Sequence, residues 1–333
     1  MKDIKYSKSY STQEIHFTGG LRGSLTNRGW ALFPASEDPD SDALVFETPE
    51  AHYIFATREC GLRHIGTCIH YRNGDNSPPM SVWEPGKRDP SNGLNAADSW
   101  RAIAHQATVA GDNLYSECAT YISVCLKVSG LRLRDVSNKY RDQLNWALAE
   151  RRESGAWFSN IALLDLYADF HSLVSELSSA RDHLAKLAAI HAGAPDRIDS
   201  LARLEDWLEK PANLVCVNQP LITLLLSASG TAEKPNWLRR LGALRNEMLH
   251  RIPMGANKSV SGLILQDVST SQGTIKTIRL AEPPSNNAVA KQDPDSLIEF
   301  SQLCTNLEHL CRTAQRIAKY PAEIPRFTNS TTS

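Results

Sequence analysis

Arg245 and His250 stand five positions apart in the run Arg-Asn-Glu-Met-Leu-His at 245–250. These are residue types that cleavage of RNA would use. RNA carries its own nucleophile, the 2′-OH, so the protein has to move protons and offset charge. A histidine titrates near neutrality and can take the 2′ proton or protonate the leaving 5′-oxygen. An arginine can hold the phosphate and balance charge building on its oxygens. Asn246 can fix the histidine or the phosphate through hydrogen bonds. Arg239, Arg240 and Arg251 surround the pair as candidate RNA contacts. From 231 to 251 there are five basic residues (Lys234, Arg239, Arg240, Arg245, Arg251) against two acidic ones (Glu233, Glu247). A local positive site on a nearly neutral chain suits an anionic substrate. One chain offers one histidine here. Acid and base catalysis by two histidines would need a second copy, so a homodimer with both motifs facing one groove is expected.

Two other pairs have similar spacing, Arg58 with His64 and Arg63 with His70. Only the 245–250 pair combines a helical pattern, an adjacent Asn and a place between two long helices. The bland alternative makes His250 a helix-end residue interacting with the C-terminal dipole.

Cys60, His64, Cys68 and His70 form a second constellation of soft ligands. Four such groups could complete a tetrahedral zinc site, although the spacing fits no usual finger. The competing reading makes Cys68 a small buried group and the histidines ordinary polar residues, so no metal is expected. Asp165 and Asp169, four apart, fit a solvated helix face. Arg132, Arg134, Arg151 and Arg152 fit solvated charges or phosphate contacts. No glycine-rich dinucleotide loop, Walker loop or nucleophile elbow is present.

The elements that must position these residues change character near 98. Before it, short β-branched and aromatic runs at 43–47, 52–57 and 65–71 read as strands separated by turn-prone residues. Pro and Gly crowd 73–97, which reads as an irregular linker. Beyond it the period is helical. A helix from Asp98 or Ser99 should run to about Lys127, with Gly111 as a point of interruption, and stop at Gly130, followed by a shorter one at 141–152. The segment 157–191 carries Leu163, Leu166, Phe170, Leu173, Leu177, Ala180, Leu184 and Leu187 at alternating spacings of three and four. That is a heptad seam roughly 35 Å long. Phe300, Leu303, Leu307, Leu310, Ala314 and Ile317 repeat the pattern. Two such seams are expected as core of one helical bundle. Shorter helices are expected at 197–209, 221–227 and 236–251, the last with Leu238, Leu241, Leu244 and Met248 on its apolar side. Runs at 260–266 and 273–280 read as a β-hairpin.

With its Arg245-Asn246 step and His250, the chain resembles the HEPN superfamily, which is all-helical and includes many metal-independent RNases. Ile252 stands where many relatives carry a Tyr, which departs from the toxin subgroup regulated by nucleotide transfer. The resemblance would cover about 98–320. It implies a mainly α fold: a HEPN-like helical bundle at 98–321, a β-rich accessory region at 1–97, a β-hairpin insertion near 258–282 and a flexible tail at 322–333. It implies an endoribonuclease that leaves 2′,3′-cyclic phosphate and 5′-OH ends without metal or cofactor. A defence or toxin role is implied, with RNA as substrate and a regulatory protein as a further partner. The rival reading is a non-catalytic helical module that binds RNA or a protein; a weaker third is a dimerisation protein.

Composition narrows the classes. The 333 residues carry 36 Lys+Arg against 37 Asp+Glu, which argues against a polybasic DNA-coating chain. No run approaches 18 apolar residues, and the start lacks an apolar signal region. Seven scattered cysteines then read as reduced thiols in a cytoplasmic protein with no membrane attachment.

Overall fold

The computed structural model describes residues 9–34, 43–73, 80–85, 94–250, 262–281 and 295–323. The strands are β1 (Ser9–Phe17), β2 (Arg22–Thr26), β3 (Gly29–Phe33), β4 (Leu44–Phe46), β5 (His64–Asn73), β6 (Met80–Glu84), β7 (Trp157–Phe158), β8 (Gly262–Thr270) and β9 (Gly273–Ala281). The helices are α1 (Glu50–Glu59), α2 (Ala96–Val109), α3 (Asn113–Ala149), α4 (Leu163–His191), α5 (Leu201–Leu208), α6 (Pro220–Ser229), α7 (Trp237–His250) and α8 (Ser296–Gln315). Residues group into two compact units. One gathers 1–85, 130–172 and 248–302; the other gathers 86–129, 173–247 and 303–333.

The first unit overturns the expectation of a mainly α, HEPN-like bundle. It contains a six-stranded antiparallel sheet ordered β4-β3-β2-β1-β5-β6 and a three-stranded sheet ordered β7-β8-β9. The fold is mixed α and β. The physical reason lies in β1. Successive side chains of a strand point to opposite faces, and near its end both faces are buried. Phe17 meets Tyr53 of α1 edge-on at 5.7 Å, while Trp30 stacks on Tyr53 at 5.4 Å. On the other face His16 reaches Ser137 of α3 at 3.1 Å. The sheet is therefore sandwiched into a shared core rather than appended to a bundle.

Several local readings change for similar reasons. The run at 52–57 has strand-like composition but forms α1. Its buried side chains, Tyr53 and Thr57, lie four apart, and Thr57 donates back to the Tyr53 carbonyl at 3.0 Å. Pro49 at its start has no N–H to leave unsatisfied. Gly130 does not stop a helix but lies inside α3, where an added Cβ would meet Pro85 at 3.1 Å. The segment expected to be helical from 157 starts as β7, which extends the hairpin β8–β9 by one strand. Part of the expected hairpin insertion, at 258–261 and 282, lies outside the described residues.

All eight positions of the first seam are buried to 1% exposure or less. In the second, Phe300 through Ala314 are buried, whereas Ile317 lies beyond α8 and is 37% exposed. In the second unit the indole of Trp100 is fully buried and donates to the Cys311 carbonyl at 3.1 Å. All seven cysteines are free thiols. No single described helix is long and apolar enough to cross a membrane; one bent pair, Pro211–Asn218 with Pro220–Ser229, passes on length and composition only.

Candidate functional site

Helix α7 carries the Arg-Asn-x3-His run. Its start is set by Asn236, whose side-chain oxygen accepts from the Trp237 N–H at 2.8 Å. The Asn236 backbone N–H and side-chain amide donate to the Ser229 and Ser227 carbonyls at 2.9 and 3.1 Å. Leu238, Leu241, Leu244 and Met248 are buried, each at 7% exposure or less. Their spacing of three, three and four makes one apolar stripe. Gly242 faces Arg181, whose Nη1 would lie 2.8 Å from an added Cβ. That guanidinium is buried and paired with Asp182 at 2.9 Å.

The candidate residues are spread around α7: position 246 lies away from the stripe, whereas Arg245, four positions after Leu241 and seven after Leu238, lies on the stripe's own side. Arg240 and Asn246 are exposed and Arg245 is half-buried. Arg245 forms no ion pair among the described residues. Arg239 is committed elsewhere: its Nη2 donates to Glu205 Oε1 at 3.0 Å, the same oxygen that accepts from Ser229 Oγ at 2.8 Å. It acts as a strut between α7 and α5. His250 is the last residue of α7, and only its backbone is described; Arg251 lies outside the described residues. At 3.6 residues per turn, positions 245 and 250 stand roughly 140° apart around the helix axis. One copy of a straight helix thus does not present both positions on one side.

The second constellation does not converge. His64, Cys68 and His70 lie on β5, but His64 contacts Thr67 Oγ1 at 3.2 Å and His70 contacts Ser81 Oγ at 2.8 Å. Cys68 is 6% exposed, and Cys60 Sγ bonds the Ala56 carbonyl at 3.3 Å. Among the described residues no three His, Cys, Asp or Glu side chains form a metal-binding group. Arg132 and Arg134 pair with Asp135 at 3.5 and 3.0 Å. Arg152 lies over the rings of Trp146 and Phe158 at 4.6 and 5.2 Å. Asp165 is 3.7 Å from Lys139.

Sequence reasoning missed a buried polar cluster in the first unit. Glu14 Oε1 is 3.1 Å from His16 Nε2, a close contact without good hydrogen-bond alignment. His16 Nδ1 is 3.1 Å from Ser137 Oγ. Arg22 donates to Ser137 Oγ, to the Ser137 carbonyl and to Asn138 Oδ1 at 2.9–3.2 Å. Burial pushes the Glu14 carboxyl up, yet His16, Arg22 and Arg141 outweigh it and hold it at about 2. Burial drives His16 down to about 4, against the pull of Glu14 and with the help of Arg22. The order carboxylate–imidazole–hydroxyl resembles a nucleophile relay. Ser137 is fully buried and already engaged by Arg22, which leaves no room for a substrate. This cluster fastens the sheet to α3. Its members lie up to 127 positions apart, and no local spacing announces them.

Also missed were Arg101 and His105, four apart on the exposed side of α2 and lining a groove with α3. Their i,i+4 spacing was legible, but the groove requires the turn at 110–112. Comparisons with protein-family models, with curated proteins and with solved structures return no match.

Proposed function

We propose that this protein is a metal-independent endoribonuclease that works through α7. Arg245 holds the scissile phosphate, Asn246 orients it, and His250 moves the proton between the 2′-OH and the leaving 5′-oxygen. The products carry 2′,3′-cyclic phosphate and 5′-OH ends. The observation that carries this reading is the polarity of α7. Its apolar stripe is buried, while Asn246 is exposed and Arg245 is half-exposed with no ion-pair partner among the described residues. Charge left unneutralised on a helix surface is what a phosphate backbone would engage. Arg240 on α7 and Arg251, next in sequence to His250, are further candidate RNA contacts; Arg239 serves the site indirectly through Glu205.

The roughly 140° offset between positions 245 and 250 favours a homodimer, in which two copies of α7 line one groove. A regulatory protein that restrains the activity, a defence or toxin role and a cytoplasmic location complete the proposal. The same offset also favours a second reading: a module that grips RNA with Arg245 and cleaves nothing. Purified protein incubated with RNA in EDTA separates the two. Cyclic-phosphate ends that disappear in His250→Ala support the enzyme. RNA retained intact by both proteins, with equal affinity, supports the binding module.

A further inference from the structure

A groove of about 510 Å³ lies between α2 and the start of α3. It belongs wholly to the second unit and lies away from the 245–250 run in sequence. Arg101 and His105 stand four apart on α2, on one side of the helix, and both are exposed. Arg101 Nη1 sits 3.5 Å from Thr120 Oγ1, too long to engage that donor strongly. The rest of the guanidinium and the whole His105 ring have no partner among the described residues. Leu94, Ala102 and Ala104 are the apolar residues of the lining.

The other polar groups of the groove are already satisfied. Thr108 Oγ1 and Ser116 Oγ are 2.7 Å apart and lie 3.0 and 2.9 Å from the Ala104 carbonyl, so one hydroxyl donates to that carbonyl and the other donates across the pair. Asp98 is the one carboxylate in the lining, and Lys127 neutralises it at 2.9 Å. What remains unmet is a set of donors: the Arg101 fork, the His105 ring and the Thr120 hydroxyl. All three line one concave surface whose size falls within the range of small-ligand sites, roughly 300–1,000 Å³.

We propose that this groove binds an organic phosphate of nucleotide size. The Arg101 guanidinium takes two phosphate oxygens, as its planar fork favours. His105 and Thr120 donate to the remaining oxygens, and the body of the ligand rests on Leu94, Ala102 and Ala104. This site stands independently of α7, because it shares no residue with the Arg245–His250 run.

Calorimetric titration of the full chain tests it, with adenosine 5′-monophosphate, adenosine and inorganic phosphate as separate probes. The monophosphate should bind, with adenosine weaker by about tenfold or more, because the phosphate supplies the charge-assisted bonds. Arg101→Met and His105→Asn should each weaken the monophosphate by about tenfold to a hundredfold. Both positions are exposed, so melting temperatures should stay unchanged. Inorganic phosphate binding as tightly as the nucleotide would assign the groove to the free anion and overturn the nucleotide-size assignment. Equal binding of monophosphate and adenosine, no binding of the monophosphate, or full affinity in Arg101→Met would overturn the site. Arg245→Ala and His250→Ala should keep full affinity for the monophosphate. Loss of RNA cleavage with retained nucleotide binding, or the reverse, therefore tells failure of one site from failure of the other.

Discussion

His16 Nδ1 lies 3.1 Å from Ser137 Oγ, 121 positions along the chain, and this contact ties β1 to α3. The folded protein keeps that ring neutral down to about pH 4, whereas an unfolded histidine protonates near 6.5. Between those values the unfolded chain binds more protons, so stability falls as pH drops from 6.5 toward 4. Glu14 acts in the same direction at lower pH. The stability its ionised form contributes is present above its ordinary 4.5 and is lost as pH falls through about 2. His16→Asn should flatten the melting-temperature profile between pH 6.5 and 4, removing a dependence of about 3 kcal/mol. Superimposable profiles for the two proteins would show that His16 does not titrate differently on folding.

Arg22 is the charge at the centre of that cluster, with 1% exposure. Arg22→Met removes four donated hydrogen bonds, to Leu21, Ser137 twice and Asn138. It also removes the contact with Glu14 at 3.3 Å. Breaking a buried pair from one side costs about 3–5 kcal/mol, mostly from the charge left behind. Chemical denaturation should show a loss of that size. A loss below about 1 kcal/mol would class the contact with surface ion pairs.

Asp295 shows the opposite sign. Its Oδ1 accepts from Tyr140 Oη at 2.8 Å and from the Leu280 and Leu297 N–H groups at 3.3 and 3.4 Å. Burial raises its carboxyl to about 6, beyond what those donors and Arg279 offset. A raised carboxyl binds its proton better in the folded state, so ionisation costs stability as pH rises from 3.8 to about 6. Asp295→Asn keeps an acceptor for Tyr140 and carries no charge. Its melting temperature relative to the parent should climb across that window and level off above about pH 6. A constant difference across the window would refute this assignment.

The helical seams were legible because a 3.6-residue period survives in one dimension. Leu177 and Leu307 sit where their spacing puts them, fully buried. The hairpin at β8–β9 was legible from β-branched alternation around a turn. The mixed architecture was not. Whether β1 ends in solvent or between α1 and α3 depends on contacts such as Glu14–Arg141, which sequence proximity does not encode. Gly130 was read as a stop because glycine usually marks one; here close packing by Pro85 uses its missing side chain. At the candidate site, the basic character of α7 was visible, but the diversion of Arg239 to Glu205 was not. That contact joins helices 34 positions apart and lowers the charge available to a ligand.

Two substitutions on α7 separate its roles. Leu241 is fully buried, so Leu241→Ala should cost about 2–5 kcal/mol. Arg245, one turn further on, lies beside that stripe but is only half-buried, and Arg245→Ala should cost less than Leu241→Ala, about 1 kcal/mol or below. RNA affinity should move the other way: unaltered in folded Leu241→Ala, weaker and less salt-dependent in Arg245→Ala. An Arg245→Ala protein that unfolds at the temperature of Leu241→Ala would make Arg245 a packing residue instead.

The composite groove makes a prediction that a single-copy site does not. If proton transfer needs the two His250 side chains of a homodimer, a mixed dimer with one parental and one His250→Ala chain has only one proton carrier. Such a dimer, isolated with two different affinity tags, should lose nearly all cleavage rather than half. General acid or base catalysis contributes about 10²–10⁴-fold, so losing either partner is enough to silence the groove. RNA binding by the mixed dimer should persist, because both copies of Arg245 remain. Mixing increasing amounts of His250→Ala chain into the parent during refolding should lower activity with the square of the parental fraction. A linear fall, or a mixed dimer with half the parental rate, would mean that each α7 works alone. The roughly 140° offset between positions 245 and 250 would then have to be closed within one chain, by a bend at the end of α7.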